Sequence, residues 1–234
     1  MIYPLDSMCG KIKTYVGNLD TIMDGGIPEG NVVIIYGKPG SMKSSIAYSI
    51  LYNNVEKEGK KALYVCLEQS GSSLTANMEE LGFKAPEGHS DMNILDIGLL
   101  RKYMPQIGYQ AWIELFRVDI MNLKKNFNFD LLVIDSLPVL EMLAKFKDPR
   151  EELFYFFEWL RDMKCTTFVV HEESQSTFEY GEDFLADGII HMDMKRDDKN
   201  VYLFLGIAKM RKTNHRRGYF PLIFDKGRFE LVID

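Results

Sequence analysis

Along this chain, short runs of consecutive apolar residues alternate with stretches whose apolar positions recur every three or four residues. That alternation predicts strands followed by helices. Val32-Val33-Ile34-Ile35-Tyr36 reads as a buried parallel strand. From Ser44 the period turns helical, with Ile46, Ala47, Ile50, Leu51 and Val55 on one face. Glu58-Gly59-Lys60-Lys61 closes that helix, and residues 62–67 form a second buried strand. Residues 72–82 are predicted helical, 84–90 a loop, and 92–97 a strand. The spacing over 109–125 predicts a helix that turns Trp112, Ile113, Leu115, Phe116, Ile120 and Leu123 toward a sheet. A strand over 129–136 follows, then an amphipathic helix over 151–163 with Leu153, Phe154, Phe157 and Leu160 inward. Residues 166–170 are a strand, and the acidic, polar stretch 173–183 is expected to be mobile. From Ala186 the pattern becomes a β meander: 187–194, 201–210, 219–224 and 228–233, with Asp225-Lys226-Gly227 as a hairpin turn. At the other end, Leu19, Ile22 and Met23 sit at helical spacing, Gly25-Gly26 stops the helix, and residues 27–30 form a turn into the first strand.

Composition narrows this little further. With 234 residues and 46% hydrophobic content, the chain can bury a substantial core, and one α/β domain spanning residues 1–234 is expected. The formal charge of −6 carries no electrostatic footprint for duplex nucleic acid, although a local basic strip stays open. Cys9, Cys66 and Cys165 have neither disulfide-framework nor metal-motif spacing, which predicts buried, reduced thiols. No basic segment leads into an apolar run, and no stretch approaches about 18 consecutive apolar residues. The expectation is a cytoplasmic protein without membrane insertion.

Chemistry concentrates where the first strand ends. Gly37-Lys38-Pro39-Gly40-Ser41-Met42-Lys43-Ser44-Ser45 joins a strand to a helix and matches the phosphate-loop pattern G-x-x-x-x-G-K-[ST] at all but one position. Such a loop turns backbone N–H groups inward, adds the positive end of a helix, lets Lys43 reach terminal phosphates and gives Mg²⁺ the Ser44 hydroxyl. The second glycine is replaced by Met42, whose side chain must project near the nucleotide or into the sheet–helix junction. Two further carboxylates close strands. Asp135 is placed to hold Mg²⁺. Glu68 is either placed to polarise water near a γ-phosphate or is an exposed loop carboxylate. His171 either senses the phosphate or simply closes its strand.

These residues resemble a known family, the KaiC-type ATPases of the RecA superfamily. The resemblance rests on the segment from Thr14 through Gly30 with Leu19-Asp20 and Gly25-Gly26-Ile27-Pro28-Glu29-Gly30, on the Glu68 strand, and on Val133-Ile134-Asp135-Ser136. It continues in Leu185-Ala186-Asp187-Gly188-Ile189-Ile190 and in Lys209-Met210-Arg211-Lys212-Thr213-Asn214-His215 with Gly218 and Pro221. Two-domain members carry this unit twice; this chain carries it once and resembles a stand-alone, archaeal-type relative. The resemblance implies an α/β, RecA-like phosphate-loop fold with a mostly parallel central sheet flanked by helices and a C-terminal antiparallel β extension. It also implies ATP with Mg²⁺ between the subunits of a homo-oligomeric ring, often a hexamer. Lys43 and Ser44 then match the phosphate and Mg²⁺ residues, Asp135 the second-motif aspartate, and Glu68 the first of a catalytic glutamate pair. Lys209 and Arg211 match basic residues that reach a neighbour's phosphates; read without the family, residues 209–217 are a basic turn. Gln69 stands where the second glutamate is found, so hydrolysis is expected to be slow. The function so implied is an ATPase whose nucleotide-dependent assembly regulates an unidentified protein partner. The competing classes are a RadB-like, DNA-binding recombinase paralogue, opposed by the acidic 172–183 stretch, and a non-hydrolysing ATP-binding scaffold.

Overall fold

In the computed structural model, the described residues are 10–84, 91–97, 109–174 and 178–233. Cys9, nearly all of the 84–90 loop and part of the 173–183 stretch lie outside them. The chain enters through β1 (Lys11–Ile12), which pairs antiparallel with β2 (Ile27–Pro28) around the one-turn helix α1 (Leu19–Ile22). Of the segment expected to be a plain turn, the first two residues are therefore a strand, and Glu29-Gly30 make the turn into β3 (Val32–Gly37). Gly26, at φ 128°, lies so close to β1 that an added Cβ would stand 2.4 Å from the Ile12 carbonyl oxygen. The glycine pair thus permits a backbone approach as well as ending the helix.

The alternation then runs β3, α2 (Lys43–Glu58), β4 (Ala62–Cys66), α3 (Gly71–Glu80) and β5 (Met92–Asp96). It continues with α4 (Tyr109–Phe127), β6 (Leu131–Asp135), α5 (Leu137–Ala144), α6 (Pro149–Asp162) and β7 (Thr166–Glu172). The short helix α7 (Glu182–Leu185) leads into β8 (Gly188–Arg196), β9 (Val201–Met210), β10 (Tyr219–Asp225) and β11 (Arg228–Leu231). These strands make one sheet in the order β11-β10-β9-β8-β3-β7-β6-β4-β5. The six from β8 to β5 are parallel, and β9, β10 and β11 add on antiparallel, as the sequence pattern predicts. Helix α2 ends where expected, at Gly59 in the left-handed conformation (φ 62°).

Strand alternation divides the core into two layers. Val33 and Ile35 face Ile46, Ile50 and Leu51 of α2, while Val32 and Ile34 face the layer built on α4, α5 and α6. Two inward assignments differ from the sequence pattern. On α6, Phe156 is buried and Phe154 is 48% exposed; on α4, Leu115 is 40% exposed beside the buried Phe116. Helix α6 carries aromatic residues from Phe154 through Phe157, so the apolar run is wider than the buried face and periodicity alone does not choose among them. Glu182, assigned to the mobile stretch, instead opens α7 with its side chain only 2% exposed and accepts a hydrogen bond from the Tyr180 N–H.

Candidate functional site

The loop between β3 and α2 wraps around the start of the helix. Met42 occupies its N-cap position in the left-handed region (φ 65°, ψ 28°) and offers no side-chain cap. The helix therefore presents uncapped N–H groups at its positive end. That φ explains why the pattern asks for glycine at this place. The Met42 side chain packs against the core beneath α2 and also lines the cleft above the loop. Gly37 is required for a different reason. An added Cβ would stand 2.1 Å from the Met192 carbonyl oxygen on β8, so this glycine serves sheet packing. Around Gly40, at φ 82°, nothing lies within 4 Å of an added Cβ, and Ser41 Oγ is buried without a hydrogen-bond partner.

The loop opens onto a cleft of about 260 Å³ whose lining includes Pro39, Gly40, Lys43, Ser44 and Ser45, together with Glu68, Asp135 and Glu172. Lys43 is 7% exposed and its Nζ donates to the Lys38 carbonyl at 3.0 Å. Burial pulls the Lys43 ammonium below its ordinary value, while Glu172, Asp135 and Glu68 oppose that shift. Asp135 is 5% exposed and accepts a 2.5 Å hydrogen bond from the Tyr64 hydroxyl. Burial raises its carboxyl, against the lowering effect of hydrogen bonds from Tyr64 and Ser44. Glu68 accepts a hydrogen bond from Ser136 Oγ, which fixes its carboxylate over the end of β6. Gln69 does not line the cleft; its side-chain oxygen accepts from Asn77 of α3 at 3.4 Å.

Three residues here were not singled out by sequence reasoning. Tyr64 holds Asp135 and Ser136 holds Glu68, contacts that only the sheet order creates. Glu172 pairs with Gly37 and is the foremost carboxylate acting on Lys43. Its signal was present, since it too is a carboxylate at the carboxyl end of a parallel strand beside the loop. His171 points away from this cleft and is buried, with Nδ1 2.8 Å from the Glu172 carbonyl oxygen.

Lys209 and Arg211 lie elsewhere. Lys209 pairs with Ile189, and the Arg211 N–H bonds the Asp187 carbonyl, whose own N–H bonds the Val32 carbonyl. Val32 and Gly37 stand five residue steps apart along β3, roughly 16 Å of strand, so both cations start from the end of the strands opposite the phosphate loop. Each is engaged within its own chain. Lys209 Nζ donates to the carbonyls of Asp183, Phe184 and Ala186, and Arg211 pairs with Asp187 at 3.0 Å and bonds the Phe184 carbonyl.

The donor set fits Mg²⁺ and a polyphosphate. Ser44 and Asp135 would offer hard oxygen ligands, and the loop offers N–H groups and, in the cleft lining, the Lys43 cation. Three carboxylates against one lysine would repel a polyphosphate unless a dication accompanied it. Fold and site together define a phosphate-loop protein of RecA-like architecture. A family model for the KaiC ATPase matches residues 12–230, and the chain belongs to that family. It is 29% identical to the UPF0273 protein PH0284 of Pyrococcus horikoshii, over 94% of this chain and 93% of that one. It is also 29% identical to a UPF0273 protein of Thermotoga maritima, over 94% of this chain and 95% of the relative. Among solved structures, the KaiC-like protein PH0186 of Pyrococcus horikoshii superposes with a TM-score of 0.82 at 25% identity, over 96% of this chain and all of that one. No helix among the described residues is long and apolar enough to cross a membrane.

Proposed function

We propose that the cleft binds ATP with Mg²⁺ and hydrolyses it slowly. The observation that carries this reading is the convergence, in one cleft, of an uncapped helix N-terminus, Lys43, a pinned Asp135 and a pinned Glu68. Residues 37–45 would bind the phosphates, with Lys43 released from the Lys38 carbonyl to reach the terminal ones. Ser44 and Asp135 would hold Mg²⁺, which when bound neutralises the charge of the phosphates. Glu68, oriented by Ser136, would align the attacking water. With Gln69 turned onto α3, no second carboxylate follows it, consistent with slow turnover.

The reading extends to assembly. Lys209 and Arg211 would act on the site of the next chain in a homo-oligomeric ring, with six copies the expected number, and would leave their own-chain partners to do so. A cation brought to the γ-phosphate from a neighbour stabilises transition-state charge and ties turnover to assembly. Nucleotide-dependent assembly would in turn regulate a partner protein. The test of the binding step is calorimetry with Mg²⁺ and ATP. Lys43→Ala is expected to weaken ATP binding by roughly 10- to 100-fold, about 1.5–3 kcal/mol for a lost charge-assisted contact. Unchanged affinity would remove the assignment of this loop.

A further inference from the structure

Beside the phosphate cleft a second one, of about 280 Å³, opens at the end of β7. Strand alternation turns His171 away from Val170 and into this second cleft. There it meets Glu141 of α5 and Glu182 of α7, with one ligand atom from each lying within 4.8 Å of the others. His171 and Glu182 are 5% and 2% exposed. Glu141 Oε1 is buried and has no hydrogen-bond partner. A buried carboxylate oxygen left unpaired is costly and asks for a proton or a cation.

The imidazole is set up for the same purpose. The Glu172 carbonyl can only accept, so His171 Nδ1 carries the proton and donates to it at 2.8 Å. This leaves Nε2 with its lone pair facing Glu182 Oε1 at 4.0 Å, acceptor against acceptor. A histidine whose second nitrogen is fixed by a backbone carbonyl is the arrangement seen around bound metals. We propose that Glu141, His171 and Glu182 bind a first-row transition-metal dication such as Zn²⁺, at a site separate from Ser44 and Asp135. Mixed nitrogen and carboxylate donors select such ions over Mg²⁺. Ligand atoms around one ion stand about 3–4 Å apart at bond lengths near 2.1 Å, so a contraction of roughly 1 Å completes the set. The local electrostatics agree: burial, then the charges of Glu182 and Glu179, push the Glu141 carboxyl up to about 8, as expected of a group short of positive charge.

The test is titration of the nucleotide-free full chain with Zn²⁺ against a chromogenic chelator, and with Co²⁺ followed by its absorption spectrum. One equivalent should bind at micromolar concentration or tighter, and the Co²⁺ spectrum should lack a thiolate charge-transfer band. His171→Ala and Glu182→Gln should each weaken binding at least tenfold, while Lys43→Ala and Asp135→Asn stay within twofold of the parent. Circular dichroism establishes that each variant is folded. Should His171→Ala or Glu182→Gln fail to fold, Glu141→Gln, on a helix face that is not fully buried, carries the test with an expected loss of at least threefold. Absence of stoichiometric binding, a thiolate band, loss of binding in Asp135→Asn, or unchanged binding in the folded ligand variants would overturn the proposal.

Discussion

Met42 shows how one residue can obey two conflicting demands. Its backbone sits in the left-handed region, which costs a side-chain-bearing residue about 1–2 kcal/mol. Its side chain recovers part of that by packing under α2. Met42→Gly relieves the first and forfeits the second, so chemical denaturation should find stability changed by no more than about 1 kcal/mol. If the methionine only crowds the nucleotide, the same variant should release phosphate faster; an equal or lower rate would mean that its packing is already accommodated. The sequence placed Lys43, Ser44, Asp135 and Glu68 because a loop pattern and strand ends are local features. It could not show that Tyr64 and Ser136 hold the two carboxylates, because those contacts join β4 to β6, about 70 residues apart in sequence.

Between elements, alternation of hydrophobic runs was enough to define the parallel part and the antiparallel extension, since each strand carries its own pattern. What it missed were pieces too short to have a period. The two-residue strands β1 and β2 exist only through each other, and α5, eight residues long, lies directly behind Asp135 and Ser136. Helix α6 illustrates the remaining ambiguity and supplies a test of it. Phe156 is fully buried against β-sheet and Trp159, whereas Phe154 is half exposed and touches Tyr155. Phe156→Ala should cost about 3–5 kcal/mol in urea unfolding, and Phe154→Ala less than about 1 kcal/mol. Equal losses would contradict the observed face of the helix.

At the scale of the molecule, the phosphate loop and the Lys209–Arg211 pair lie at opposite ends of the sheet's strands, and neither cation serves its own loop in this arrangement. Arg211 is half exposed, so Arg211→Ala should cost little stability, keep ATP binding and cut hydrolysis if the cation acts on a neighbour. Mixing Arg211→Ala with Glu68→Ala chains should then regenerate activity, because some interfaces pair an intact Glu68 with an intact Arg211. No recovery in verified mixed oligomers would leave residues 209–217 as a basic turn that braces Asp187. The most direct measurement of the central claim is phosphate release from Mg²⁺-ATP by the parent chain and by Glu68→Gln, with ATP affinity measured on both. The account predicts slow release by the parent, a rate at least 10-fold lower for Glu68→Gln, and affinities within a few-fold of each other. Equal rates for the two chains, or no release by the parent above background, would contradict it.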